Sequence, residues 1–276
     1  MELQGKTAFI TGGASGIGFA MAKMFAGIGM KIALADINAD DLSAAVQQLK
    51  ADKCDVIGFV CDVADEASLR QAANETVSEF GKVHVLCNNA GVSRAGLVET
   101  ISYEDWDWVI GVNFKGIIHG LRCLLPHMKA HGEPGHIVNT ASMAGLIGRA
   151  LSGPYCATKF AVVGLSEVLE DELKGSKIGV SVLCPSWVRT AMLHNGRNRP
   201  ARFGGPLDLA TDPYTDRNMH FSKEIADGLP PDEVAARVLS AIRDNRLYVL
   251  THPNRVSDFE SRVRRIVEDA RGTAIG

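Results

Sequence analysis

Seven short apolar runs punctuate the chain, at residues 7–10, 31–35, 56–60, 83–87, 136–140, 179–184 and 247–250. Each is strand-sized. Between them apolar residues recur at helical spacing, over stretches ending near 28, then 40–50, 66–80, 103–129 and 157–173. Pro231, followed by Asp232 and Glu233, opens another helix, because a proline loses nothing in a first turn and acids suit a helix N-terminus. A charged helical stretch occupies 258–270. Strands that alternate with helices predict an α/β protein: one doubly wound parallel sheet of about seven strands, helices on both faces. No linker composition interrupts it, so residues 1–276 are expected to form a single domain. Two segments stand apart. The irregular run at about 190–228 has the length of a lid over a substrate. Residues 253–276 form a C-terminal tail.

Polar residues gather where the strands end. The first strand leads into Thr11-Gly-Gly-Ala-Ser-Gly-Ile-Gly18 and then a helix. A glycine loop between strand and helix N-terminus lets backbone N–H groups approach a phosphate. Gly12, Ser15, Gly16, Ile17 and Gly18 are therefore candidate cofactor contacts. The spacing is Gly-x-x-x-Gly-x-Gly rather than Gly-x-Gly-x-x-Gly. Asp36 closes the second strand eighteen residues past Gly18. An acid at such a distance hydrogen-bonds an adenosine ribose and repels a 2′-phosphate. Ser15 and Ile37 offer no cation to such a phosphate, which favours NAD over NADP. A helix cap is the competing use of Asp36, though Asn38 and Asp40 stand ready for it. Asp62 and Val63 follow the third strand; Asp62 is placed to meet an adenine amine, or to cap a helix in competition with Asp65. Asn88-Asn89-Ala90-Gly91 follows the fourth strand, where it would form a loop, brace strands or approach the cofactor. Pro185, Val188 and Thr190 follow the sixth. Ligands of open α/β sheets bind along this strand edge.

The edge also carries a proton-transfer set. Pro154 starts a helix that presents Tyr155 and Lys159 on one face, four residues apart. A free phenol, with a pKa near ~10, is a poor base at neutral pH. A neighbouring ammonium is expected to lower it. Ser142, thirteen residues earlier, is placed to donate a hydrogen bond to the same substrate oxygen. Asn113 sits inside the 103–129 helical stretch, where asparagine is a poor choice without a polar reason.

Charge and composition narrow the classes. A net charge of −3 gives no basic footprint for nucleic acid. The apolar runs are too short to cross a membrane as helices, and the first strand begins almost at once, so no signal peptide is expected. Six cysteines include no Cys-x-x-Cys pair. That argues against structural zinc and suits a reducing cytoplasm. Arg197, Arg199 and Arg202, strewn through the irregular run, read as solvated charges.

The glycine loop, Asn88–Gly91, Asn113, Ser142 and Tyr155-x-x-x-Lys159, in this order and spacing, resemble the motifs of the short-chain dehydrogenase/reductases, a Rossmann-like family. The likeness spans at least residues 5–190. Ser186 departs from it, standing where the family often has glycine. The resemblance implies NAD as cofactor and a secondary alcohol or ketone as substrate. It makes Tyr155 the acid/base and Lys159 the residue that tunes it and holds the nicotinamide ribose. Ser142 would orient the substrate oxygen, and Asn113 would hold a relay water. Asn89, Ala90, Gly91, Pro185, Val188 and Thr190 would line the cofactor site. A homodimer or homotetramer through the 103–129 and 157–173 helices is also implied. The tail sequences around Asn198–Phe203 and Leu247–His252 are similar to those of the Cα-dehydrogenases that oxidise benzylic alcohols of lignin-type aryl ethers. A lid carrying Trp187, Met192, Leu193 and Phe203, beside Met143, Leu146 and Ile147, would then enclose a bulky apolar alcohol. The rival readings are an NADPH-dependent ketone reductase and an inactive nucleotide-binding sensor.

Overall fold

A computed structural model describes residues 1–207 and 215–272, with residues 215–220 described by their backbone alone. The seven expected strands form one sheet: β1 Thr7–Thr11, β2 Lys31–Asp36, β3 Val56–Val60, β4 Val85–Asn88, β5 Gly135–Thr140, β6 Ile178–Cys184 and β7 Tyr248–Leu250. Their spatial order is β3-β2-β1-β4-β5-β6-β7, and every neighbouring pair is parallel. The chain winds outward from β1 to β3, then returns to place β4 on the other side of β1. That reversal opens a crevice beyond the ends of β1 and β4.

Strand alternation feeds both faces. In β1, Ala8 and Ile10 join one apolar cluster and Phe9 the other; in β2, Ile32 and Leu34 oppose Ala33 and Ala35. Helices α1 (Gly16–Gly27), α2 (Ala39–Ala51) and α8 (Pro231–Asp244) cover the first face, through Met21, Phe25, Leu42, Leu49 and Val238. Helices α3 (Glu66–Phe80), α4 (Tyr103–Ile110), α5 (Gly116–His131) and α6 (Gly153–Glu172) cover the second, with Leu69, Trp108, Leu124 and Leu169 inside. Two further helices, α7 (Thr215–Ala226) and α9 (Val256–Gly272), complete the described chain.

The expected 103–129 helix is not continuous. Residues Gly111–Lys115 form a wide π-type turn between α4 and α5, in which the Gly116 N–H donates to the Gly111 carbonyl. Asn113 sits at its centre, wholly buried. Such turns accommodate one extra residue and gather at functional sites. Trp108 is a core residue, 2% exposed.

Candidate active site

The glycine loop lies at the crevice because only glycine fits there. Gly12 takes a φ of +61°, and a Cβ on it would stand 2.9 Å from the Cα of Ala90. At Gly18 a Cβ would lie 2.0 Å from the Gly12 carbonyl oxygen. Gly18 therefore packs directly on the Gly12 backbone and keeps the loop closed. Asn89 ties the two strand ends: its N–H donates to Thr11 Oγ1 at 2.9 Å and its Nδ2 to the Thr11 carbonyl at 3.1 Å. Asn88 braces the next strand, donating from Nδ2 to Asn139 Oδ1 at 2.9 Å.

The resulting cleft is lined by Gly12, Ser15, Gly16 and Ile17 from the loop. Asp36, Asp62 and Val63 line the wall beyond β2 and β3; Asn89, Ala90 and Gly91 line its floor. Tyr155, Lys159, Pro185 and Thr190 close its inner end. Ser15 precedes α1 in the N-cap position, yet its hydroxyl makes no capping bond. Helix N–H groups and that hydroxyl together suit an anion. Asp36 Oδ2 accepts from the Ala14 N–H at 3.1 Å and Oδ1 from the Asn38 N–H at 3.0 Å. Asn38, not Asp36, caps α2, accepting from the Asp41 N–H at 3.0 Å. Burial raises the Asp36 carboxyl above its ordinary value, against these backbone hydrogen bonds. Asp65 caps α3, which leaves Asp62 on the cleft wall.

Tyr155 stands in the first turn of α6, where the cleft meets a second cavity of about 300 Å³. Ser142, Met143, Ile147, Trp187 and Leu193 line this cavity, with Val188, an expected cofactor contact, on this side instead. Phe221 and Ile225 of α7 form its far wall. The Phe221 and Trp187 ring centroids are 5.1 Å apart. Leu146 and Phe203, expected around a substrate, face elsewhere. Leu146 is 8% exposed in the core, and Phe203 packs against the apolar cluster near Gly111.

The proton-handling groups converge. Ser142 Oγ donates to the Pro185 carbonyl at 3.2 Å, accepts from the Ala144 N–H at 3.1 Å, and reaches the Tyr155 phenol. Lys159 is 1% exposed. Its Nζ donates to the Thr140 carbonyl at 2.7 Å and lies 5.5 Å from the Tyr155 ring centroid. Burial lowers its pKa to about 8. Burial also pushes the Tyr155 phenol up to about 12, with the Ser142 hydrogen bond acting the other way. The expected lowering of Tyr155 by the ammonium is thus overturned for the side chains alone: desolvation outweighs a cation turned toward a carbonyl. Asn113 does not line the cleft. Its Oδ1 accepts from the Val92 N–H at 2.8 Å, and its Nδ2 donates to the Val92 carbonyl at 2.9 Å and to Thr158 Oγ1 at 3.3 Å. It therefore pins the backbone after Gly91. Asn113 Oδ1 and Lys159 Nζ both approach the bare face of Gly91, 3.5 and 3.6 Å from where a Cβ would stand.

Of the three arginines only Arg199 is withdrawn from solvent; Arg197 and Arg202 stay about half exposed, each paired with an acid. Arg197 Nη2 meets Asp41 Oδ2 at 2.7 Å, and Arg202 Nη2 meets Asp62 Oδ2 at 2.6 Å. Arg199 is buried, its Nη1 2.9 Å from Asp105 Oδ1; Asp105 Oδ2 also accepts from Arg94 Nε at 3.0 Å. Sequence reading missed Asp105, Asn195 and Thr140. Only Thr140 had a usable signal, its place at the end of a strand.

Comparison with known proteins agrees with this geometry. The profile of the short chain dehydrogenase family matches residues 6–201. A C alpha-dehydrogenase of Sphingobium sp. is 36% identical over 270 residues, covering 97% of this chain and 87% of the relative. A D-threitol dehydrogenase of Mycolicibacterium smegmatis is 40% identical over 199 residues, covering 72% of this chain and 76% of its own. Among solved structures, a short chain dehydrogenase/reductase from Burkholderia phymatum in complex with NAD superposes with a TM-score of 0.94 at 38% identity, covering 98% of this chain and 96% of that one. LigD from Sphingobium sp., in its apo form, gives a TM-score of 0.81 at 33% identity with 99% of both chains covered.

Proposed function

Since the chain belongs to the short-chain dehydrogenase family, oxidoreductases of alcohols and ketones, we propose that it is an NAD-dependent dehydrogenase of bulky secondary alcohols, working through Tyr155. The observation that carries this reading is the position of Tyr155. It borders both the polar cleft and the apolar cavity, with Ser142 on the cavity side and Lys159 on the cleft side.

The cleft suits a dinucleotide. Positive φ at Gly12 and Gly16 leaves a cradle without side chains beside the α1 N-terminus, and Asp36 offers a ribose two acceptor oxygens. Gly12, Ser15, Gly16, Ile17, Asn89, Ala90 and Gly91 would hold the dinucleotide along the loop and floor, with Asp36, Asp62 and Val63 at adenosine and Pro185, Thr190, Tyr155 and Lys159 at the nicotinamide end. NAD bound there supplies the hydride acceptor. Ser142 holds the alcohol oxygen and Tyr155 takes its proton as the carbinol becomes a ketone. Lys159, charged, stabilises the phenolate form of Tyr155 that takes this proton and so becomes a neutral phenol. Asn113 fixes the Gly91–Val92 backbone against which that lysine packs.

The cavity wall of Met143, Ile147, Trp187, Leu193 and Phe221 supports an apolar, aromatic-sized substrate. The similarity to a C alpha-dehydrogenase points the same way. Six free cysteines, five of them buried, suit a reducing cytoplasm. Among the described residues no helix is long and apolar enough to cross a membrane. A homodimer or homotetramer through α5 and α6 belongs to this proposal, with Val168, 54% exposed, at the contact.

The test is a panel of secondary alcohols, from aryl ethers to small polyols, followed by NADH absorbance with NAD and NADP supplied separately. Turnover of bulky apolar alcohols with NAD is expected. A preference for NADP would remove the role given to Asp36.

A further inference from the structure

The chain between β6 and α8 divides in two. Its later half, α7, walls the apolar cavity through Phe221 and Ile225. Its earlier half, residues 192–207, turns the other way: Asn195, Arg197, Asn198 and Pro200 line the polar cleft. This stretch is tied down across the whole crevice. Asn195 Nδ2 donates to the Gly91 carbonyl at 2.9 Å, and Asn38 Nδ2 donates to Asn198 Oδ1 at 3.2 Å. Arg197 pairs with Asp41 and Arg202 with Asp62, both on the adenosine side.

Charge gives these ties a purpose. The walls of the cleft carry three carboxylates, Asp36, Asp41 and Asp62, and two cations, Lys159 and Arg197. Lys159 is at the inner end, so Arg197 is the cation that borders the adenosine side. A dinucleotide carries an anionic diphosphate. Without the 192–207 stretch it would face acidic walls; with it, Asp41 and Asp62 are neutralised.

One junction holds the stretch in place. Asp105, 5% exposed on α4, accepts from Arg94 of the loop after β4 and meets Arg199 of the crossing segment. The Arg199 guanidinium rests over the Trp108 ring, 5.5 Å from its centroid. A charge buried this far stays charged only while paired.

We propose that residues 192–207 are a part of the dinucleotide site: a strap that presents Asn195, Arg197 and Asn198 to the cofactor and is latched by the positioning residue Asp105, so that the reduced dinucleotide leaves only when the strap opens. The inference rests on the dinucleotide reading above and extends it to residues outside the family motifs quoted earlier.

The test uses the full chain and NADH. Stopped-flow displacement should show NADH leaving Asp105→Asn at least about tenfold faster than wild type, and Arg197→Gln and Asp41→Asn about threefold faster. The KM for NAD should rise by similar factors while the KM for the alcohol moves less than twofold, a split that general loosening of the fold would not give. Trypsin should cleave after Arg197 and Arg202 in the free protein, and NADH should slow that cleavage in wild type but not in Asp105→Asn. If Asp105→Asn does not fold, the two surface variants decide the matter. Release rates within twofold of wild type in the folded variants, or tryptic cleavage indifferent to NADH, overturn the strap. A wild-type chain that binds no dinucleotide overturns the functional reading instead.

Discussion

The two hollows that meet at Tyr155 differ in their walls. The cleft sets carboxylates, asparagines and backbone groups, many held by hydrogen bonds, among apolar side chains such as Ile17, Val63 and Val112. The cavity is walled by methionine, isoleucine, leucine and aromatic rings. Polar walls recognise one geometry, because an unmet hydrogen bond inside a protein costs about 1–3 kcal/mol. Apolar walls accept any shape that fits, and one methylene more or less changes binding by only about 1–3 kcal/mol. The chain therefore commits to its cofactor through many directional contacts and to its substrate mainly through volume.

The sharpest way to break this division is at its shared residue. Tyr155→Phe should lower turnover by roughly 10²–10⁴-fold and leave NADH binding nearly intact in a fluorescence titration. Unchanged turnover would take the phenol out of the chemistry. On the cleft side, Asp36→Ala should weaken NAD by roughly 10- to 100-fold and let NADP compete, read as the ratio of kcat/KM values. On the cavity side, Trp187→Ala should raise the KM of a bulky aryl alcohol about tenfold and that of a small alcohol hardly at all. Equal effects on both would make the cavity mere packing. The mildest lever is pH. With Lys159 lowered to about 8 and Tyr155 pushed up to about 12, the pair gives up its first proton near pH 8. Oxidation needs the base form, so its kcat/KM should fall about tenfold per pH unit below that point and level off above it, while reduction should not fall on the acid side. A flat oxidation profile from pH 6 to 10 would mean the pair does not control the proton.

Legibility in the sequence followed the same division. The strands were readable because each is a short apolar run feeding two faces, as Ile10 and Phe9 do from neighbouring positions. The glycine loop, Asp36 and the Tyr155–Lys159 spacing were readable because their chemistry is local, fixed by a turn or by one helical repeat. Asn113 was readable as an anomaly, but the wide turn around it was not, since it arises from packing against Val92 and Thr158. The partners of the arginines, and the burial of Arg199, were hidden for a related reason. Arg197 and Arg202 meet acids 156 and 140 residues away, and nothing in local charge spacing announces such partners. The packing of Gly18 on the Gly12 backbone and the place of Val188 beside Trp187 on the cavity wall needed three dimensions to see.

The wide turn at Gly111–Lys115 has one more consequence, for insertions and deletions. An α-helix advances about 100° per residue. Removing a single residue from 111–115 would restore regular winding and swing α4 by that angle relative to α5. Trp108 and Asp105 would leave their places together, so a gap here should be tolerated far worse than one in the loop at 52–54.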